Sequence, residues 1–367
     1  MLYNWQQDYW PQFRFELAEL QPSLFAFSEQ SGRVNGLLSG LPEGLDQETL
    51  LNLMIEEAIR SSAIEGEFLS RQDVMSSIKN HLGLNSPAEK VKDLRAAGIG
   101  ELMSHLRRDF DSPLTQATLF DWHALVMQGT DWVSSGAWRK GKEPMQVVSG
   151  RIDRPTIHFE APASKQLPAE MKRFLKWFNA SRNDGTTPLS YSPIRAGIAH
   201  LYFESIHPFE DGNGRLGRAI SDKALAQGAG RFSVLSLSRA MEAKRNDYYD
   251  ALKSAQRSNE ITPWLHYFID TVLQAQSQAE ADISFVLKKT KFYDRHRDAL
   301  NKRQQKVLAK MFDAGPERFE GGMNVKKYLA LTKTSKATAT RDLQHLVKLG
   351  ALSQIGQARS TRYELDL

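Results

Sequence analysis

No cysteine occurs anywhere in the chain, which excludes disulfide scaffolds, thiolate zinc sites, iron–sulfur clusters and cysteine nucleophiles together. Long apolar runs are missing too. No window approaches the roughly 18 residues that a membrane-spanning helix needs. The opening residues Leu2-Tyr3-Asn4-Trp5-Gln6-Gln7-Asp8 have neither a basic start nor an apolar core, so they do not read as an export signal. The expectation is a cytoplasmic protein with no membrane partner. Charge of one sign is also scarce. The formal net charge is +5 over 367 residues, and 41% hydrophobic with 25% charged residues is the composition of a globular chain. That length predicts two or three domains.

What imbalance there is lies at one end. Residues 301–367 hold thirteen Lys or Arg against six Asp or Glu, a net of +7, whereas residues 1–300 carry −2. A near-neutral body with a basic end suggests two different jobs, although a small domain also keeps charge for solubility. Most of the chain reads as helix. Leu50 to Ile64 has helical spacing, with Met54, Ala58, Ser61 and Glu65 on one stripe that should face the protein. Between Gly136 and His158 that pattern fails, and two extended runs, Met145–Val148 and Pro155–Phe159, predict a β-hairpin turning at Ser149–Arg154. Ser192-Pro193 predicts a helix start with a hydroxyl cap, and Pro208 must end that helix. Residues 239–275 read as helical and 285–303 as a linker helix. Trp5, Tyr9, Trp10 and Phe13 read as packing residues, and residues 1–45 show no chemistry of their own.

The chemistry is concentrated in His207-Pro208-Phe209-Glu210-Asp211-Gly212-Asn213-Gly214-Arg215-Leu216-Gly217-Arg218, between two helices. Pro208 pushes His207 out of helical geometry, so the imidazole projects from a helix end. Gly212 and Gly214 permit unusual backbone and let an anion approach the amides. The turn feeds a helix N-terminus, whose free N–H groups favour negative charge. Arg215 and Arg218, about one turn apart, add charged donors for phosphate oxygens. Asp211 offers a hard carboxylate oxygen suited to Mg²⁺, and His207 is placed to serve as general base. These are the parts of phosphoryl-group transfer. A capping histidine above a plain glycine turn is the bland alternative, and twelve consecutive positions weigh against it.

This run resembles the signature of the Fic family, H-x-F-x-(D/E)-G-N-G-R-x-x-R, with every specified position met. The resemblance extends over roughly residues 50–275, through Gly136 and Arg139, the Val147–Gly150 run, Ala199–Glu204 and Tyr248-Tyr249. Gln256 departs, standing where some relatives have asparagine. The resemblance implies a mainly α fold: a Fic-type helical bundle with a β-hairpin flap, followed by a C-terminal winged helix-turn-helix. The expected division is a helical region 1–110 with an inhibitory helix at 50–66, a core 111–280 with a flap at 143–160, a linker helix 281–300 and a winged helix 301–367.

The activity it implies is transfer of AMP from ATP, with Mg²⁺, to a hydroxyl (Tyr, Ser or Thr) of a target protein, including self-modification. By resemblance His207 is the base and Asp211 the metal ligand. Gly212, Asn213, Gly214, Arg215, Leu216, Gly217 and Arg218 form the phosphate site, Val147, Val148, Ser149 and Gly150 the flap edge that aligns the target chain, and Tyr248 and Tyr249 the border of the nucleoside. Ser61-Ser62-Ala63-Ile64-Glu65-Gly66 resembles the inhibitory motif (S/T)-x-x-x-E-(G/N). A carboxylate facing the protein there needs a cation, so Glu65 is expected on Arg218, with Ser61 steadying the carboxylate or its helix end. AMP removal, another nucleotide donor, or a nucleotide-sensing regulator of DNA are the alternatives, and a homodimer is compatible with the family.

In the basic end, Lys306–Phe312 and Asn324–Leu329 read as short helices. Ser335 caps a longer helix, Lys336–Leu349, stopped by Gly350. Ala339, Leu343 and Leu346 point inward, leaving Lys336, Thr340, Arg341, Gln344 and Lys348 for another surface. Ala351–Ile355 and Thr361–Leu365 should pair around Gly356–Ser360 as a wing. That pattern resembles a winged helix, which reads DNA or contacts a partner protein.

Overall fold

The computed structural model describes residues 2–141, 143–151, 154–232, 235–317, 319–357 and 360–367. In chain order its helices and strands are α1 (Leu17–Ser39), α2 (Leu45–Ile64), α3 (Arg71–His81), α4 (Leu94–Asp109), α5 (Gln116–Val126), β1 (Gln146–Arg151), β2 (Arg154–Glu160), α6 (Leu167–Ala180), α7 (Ser192–Ile206), α8 (Asn213–Ala229), α9 (Leu237–Ala243), α10 (Arg245–Ala255), α11 (Thr262–His296), α12 (Lys302–Phe312), α13 (Val325–Thr332), α14 (Lys336–Lys348), β3 (Leu352–Ile355) and β4 (Arg362–Leu365). The chain is mainly α, and its contacts divide it into two units: residues 1–35 with 50–277, and residues 36–49 with 278–367.

The first unit is built around α7 and α8. Every residue of α7 is buried, and so is most of α8. A helix apolar or buried all round belongs at a core's centre, and these two form a hairpin whose loop is the motif 207–212. Phe174, Phe178, Phe203, Leu216, Leu265 and Phe268 pack about them in one continuous core. Ser192 is the first residue inside α7 and Tyr191 the cap, without a side-chain cap bond. The expected hydroxyl cap is therefore absent, and Pro193, which needs no N–H partner in the first turn, supplies the start. The stretch 239–275 is broken at Lys244, whose φ of −131° leaves the helical region, and again between α10 and α11. α11 continues to His296 and a 3₁₀ turn covers Arg297–Ala299, so helix fails before 303.

β1 and β2 pair antiparallel as expected, Gln146 opposite Glu160 and Arg151 opposite Arg154, with a bulge between Val147 and Val148. Ile152 and Asp153 of the predicted turn lie outside the described residues. The N-terminal segment has a clear structural place. The buried Asn4 donates from Nδ2 to Ser205 Oγ at 2.8 Å, Trp5 Nε1 to the Glu160 carbonyl at 2.7 Å, and Tyr3 meets Phe159 edge-on at 4.9 Å. It straps the foot of the flap to the last turn of α7. Trp10 and Phe13 pack on Tyr202, but Tyr9 is 59% exposed and is not a core residue.

In the second unit α12, α13 and α14 precede the hairpin β3–β4, in which Leu352 pairs with Leu365 and Ile355 with Arg362. Asn324 and Ser335 cap α13 and α14 with their side chains. Ala339, Leu343 and Leu346 are buried with Val307, Met311, Tyr328 and Tyr363. Asp342 accepts from Arg303 Nε and the Tyr328 hydroxyl, both at 2.9 Å. Ala358 and Arg359 of the predicted turn lie outside the described residues.

Close approach around α4 depends on two glycines. A methyl group at Gly98 would overlap the Leu125 carbonyl of α5, and one at Gly100 would overlap Ser77 of α3. Gly98→Ala is therefore expected to cost about 1–3 kcal/mol through overpacking. Gly32→Ala, on an open helix surface with nothing nearby, should be neutral or stabilising by about 0.5–1 kcal/mol. Urea unfolding of the two variants checks the contrast.

Candidate active site

The loop between α7 and α8 is shaped by two departures from ordinary backbone. His207 closes α7 in the left-handed region, φ 49° and ψ 61°, a conformation that costs a non-glycine residue roughly 1–2 kcal/mol. Gly212, φ 79°, opens α8; a side chain there would also press on Val126 and Met127. Asn213 locks the loop between them. Its Oδ1 accepts from the Phe209 amide at 3.0 Å and its Nδ2 donates to the Phe209 carbonyl at 2.9 Å. The Asn213 side chain is thus spent on the loop itself.

Arg139 and His123 hold this loop from outside. Arg139 donates from Nε to the His207 carbonyl at 2.8 Å, from its amide to the Pro208 carbonyl at 3.0 Å, and from its guanidinium to Ser164 and Pro162. A cation on the free carbonyls of a helix C-terminus complements their partial negative charge. Burial pulls its pKa down to about 10. His123 accepts the Gly136 amide on Nδ1 at 2.9 Å, so its Nε2–H is the atom that meets the Asp211 carbonyl at 3.2 Å. The ring stacks on Phe209 at 4.0 Å and 12°. Sequence reasoning gave Arg139 no role and missed His123; an isolated histidine in a helical stretch carries no local signal.

Above the first turn of α8 lies a carboxylate. A methyl at Gly214 would overlap Glu65, whose Oε1 forms an ion pair with Arg218 Nη1 at 2.8 Å. Glu65 follows the last residue of α2, and its side chain is 28% exposed. It therefore does not continue the buried stripe of Met54 and Ala58, as helical spacing predicted, but reaches the arginine from a frayed helix end. Ser61 bonds to the arginine and not to the carboxylate: its hydroxyl accepts from Arg218 Nε at 2.9 Å and its carbonyl from Nη2 at 2.8 Å. Arg218 has no exposure. Burial opposes its charge, and Glu65, Tyr248 and Glu204 outweigh that and raise its pKa.

Arg215 is met by a second acid, absent from the sequence reading. Its Nη1 donates to Glu67 Oε2 at 2.7 Å, while Asp211 Oδ1 lies 3.7 Å from Nη2. Only Gly66 separates Glu65 from Glu67, and that spacing was the available signal. Asp211 keeps 39% of its side chain exposed at the mouth.

The remaining predicted residues separate. Leu216 is wholly in the apolar core, and Gly217 packs against Glu204 and His200. Tyr248 is buried with its hydroxyl on His200 Nε2 at 2.8 Å. Tyr249 is 39% exposed and donates to the Ile64 carbonyl at 3.3 Å. Gln256 is buried on the Glu204 carbonyl. Val147 is half-buried in β1; the side chains of Val148 and Ser149 lie outside the described residues, though the backbone of Val148, Ser149 and Gly150 pairs with Ile157, Thr156 and Pro155.

Burial lowers the His123 pKa from 6.5 to about 4, and burial also lowers that of His200. The unfolded chain takes up these protons near pH 6.5 and the folded chain only further down, so stability intact above pH 6.5 falls as pH approaches 4. His123→Gln, which can still donate and accept, is expected to flatten that slope in melting temperatures between pH 7 and 4.

A profile of the Fic/DOC family matches residues 113–225, and one described as "Domain of unknown function (DUF4172)" matches residues 3–84. The chain is 26% identical over 222 residues to a protein adenylyltransferase Fic of Culex quinquefasciatus, covering 59% of this chain and 39% of that protein. Against the protein adenylyltransferase Fic of Drosophila melanogaster it is 28% identical over 157 residues, 43% of this chain and 28% of that one. It thus spans 39% or less of the length of these curated relatives. A crystal structure of a Fic family protein from Desulfovibrio desulfuricans G20 is similar in fold, with TM-score 0.50 and 18% identity over 93% of this chain and 95% of that one. No helix among the described residues is long and apolar enough to cross a membrane.

Proposed function

From a chain that carries a Fic/DOC-family domain, we propose a protein adenylyltransferase that moves AMP from ATP to a Tyr, Ser or Thr hydroxyl of a target protein and is restrained by Glu65. The observation that carries this reading is the carboxylate of Glu65 lying over Gly214 and paired with Arg218. Glycine cradle, helix N-terminus and buried arginine together suit an anion, and the chain's own acid stands in for a phosphate there. ATP must displace it. His207 takes the proton of the attacking hydroxyl, whose oxygen bonds the α-phosphorus. The bond to the bridging oxygen breaks, and diphosphate leaves with the electron pair.

Asp211 is a single, accessible hard-oxygen donor, which fits Mg²⁺ held by one carboxylate together with substrate phosphates. When bound, the ion neutralises phosphate charge. The β1–β2 hairpin offers extended backbone on which a target segment can align.

The decisive comparison uses ATP labelled at the α-phosphate with Mg²⁺ and cell lysate. Glu65→Gly is expected to label protein at least about tenfold more than wild type, the order of effect expected when one charge-assisted contact of the γ-phosphate is restored. Glu65→Gly/His207→Ala should lose the label. Equal labelling of wild type and Glu65→Gly would remove the brake, and absence of label in every lane would sink the transferase reading.

A second role rests on residues 301–367. Lys336, Arg341, Gln344 and Lys348 are exposed on one side of α14, in the element order of a winged helix and in a segment of net charge +7. We propose duplex DNA as the partner of that face. Binding should weaken steeply as salt rises from 50 to 200 mM, by at least about tenfold. No retardation at the lower salt concentration overturns it.

A further inference from the structure

His207 ends α7 with one ring nitrogen turned inward. Among the described residues Nδ1 is buried without a hydrogen-bond partner, and the group facing it is a carboxylate from the preceding helical turn: Glu204 Oε2 lies 3.6 Å away. Glu204 is itself 5% exposed, and its other oxygen, Oε1, is buried with no hydrogen-bond partner among the described residues. A buried ring nitrogen able to donate thus faces one oxygen of a buried carboxylate, which only accepts. The distance is slightly long for a hydrogen bond, as such contacts are before substrate draws the base into place. Burial works against the charge of Glu204, but His207, His200 and Arg218 outweigh it and keep its carboxyl below the ordinary range.

The surroundings fix this acid closely. Gln256 Nε2 donates to the Glu204 carbonyl at 3.2 Å, and Asn4 ties the next residue, Ser205. On the far side is Gly217, where a methyl group would come within 2.5 Å of Glu204 Oε1. The glycine is what allows α8 to lie against the carboxylate. Glu204 also contributes to the charge balance of Arg218, but the transfer step itself assigns it no proton and no bond to substrate.

We propose that Glu204 is a positioning residue for His207: its carboxylate accepts Nδ1–H, fixes that tautomer, and leaves the lone pair of Nε2 facing outward for the target hydroxyl. In the transfer step Nε2 gains the hydroxyl proton as the new O–P bond forms and the bond to diphosphate breaks. Glu204 stays ionised beside the imidazolium until Nε2 returns its proton to water. The arrangement uses an orienting acid behind a histidine base, and it rests on the transferase reading above.

The test combines an activity readout with one that needs no activity. In the Glu65→Gly background, Glu204→Met removes the acceptor at similar volume, and Gly217→Ala displaces it without altering it. Each is expected to lower kcat roughly 100-fold, within the range for general-base catalysis, with KM for ATP changed less than about twofold. Glu204→Gln, which keeps an acceptor without charge, should fall between. Separately, ¹⁵N-histidine spectra of the full chain, with His207 assigned through His207→Gln, should show wild-type His207 protonated on Nδ1 above pH 7 and Glu204→Met losing that preference. A folded Glu204→Met with unchanged kcat, or a wild-type ring protonated on Nε2, overturns the proposal. If Glu65→Gly transfers nothing yet the Nδ1–H tautomer is seen and lost in Glu204→Met, the orienting contact stands and the transferase reading is what fails.

Discussion

A guanidinium with no solvent exposure has to be neutralised where it lies, and Arg218 imposes that requirement on everything around it. Leaving such a charge unpaired costs several kcal/mol, so three elements are arranged to meet it. α2 brings Ser61 and ends just before Glu65, α7 brings Glu204, and α8 carries the arginine itself. The hydroxyl and carbonyl of Ser61 fix the plane of the guanidinium, leaving Nη1 for an anion. Under the proposed function an anionic ligand that replaces Glu65 would restore the same balance, so exchange would not leave the guanidinium unpaired. The side chain of Glu65 is 28% exposed, so its carboxylate is only partly desolvated in the pair.

The second constraint is the bend at His207. A left-handed residue before a proline would drift without support. Here the carbonyl is taken by Arg139, the following loop is closed by Asn213, and the Phe209 ring is wedged against His123. Rigid scaffolding of a strained residue is what keeps a reactive side chain in one place. The N-terminal strap belongs to the same device, because Asn4 and Trp5 connect the last turn of α7 with the foot of the β-hairpin.

Much of this was legible beforehand, and the reasons are local. The helical period gave α2, α7, α12 and α14, and proline and glycine placement gave the bends around His207 and Gly212. Side-chain identity indicated the pairing of Glu65 with Arg218. What escaped depends on contacts between residues far apart in sequence. His123 meets the motif across 88 positions and Arg139 across 68, so neither shows a pattern in its own neighbourhood. Tyr248 and Tyr249 look equivalent as neighbours, yet the helix turns one into the core and the other toward the end of α2. Burial of that kind is decided by packing, which period alone does not specify.

Glu67 shows how such a residue alters the argument. Its bond to Arg215 places a second acid from the same short segment on the other arginine of the motif. Arg215 is also close to Asp211, so the guanidinium lies between a carboxylate that belongs to the site and one that belongs to the segment after α2. If Glu65 alone left, Glu67 would still hold that segment near the cradle through a mostly buried ion pair. Release of the whole segment therefore requires two pairs to break, while uncovering Gly214 and Arg218 requires only the first. The two acids divide the contacts: Glu65 lies over Gly214 on Arg218, and Glu67 ties the segment that carries it to Arg215.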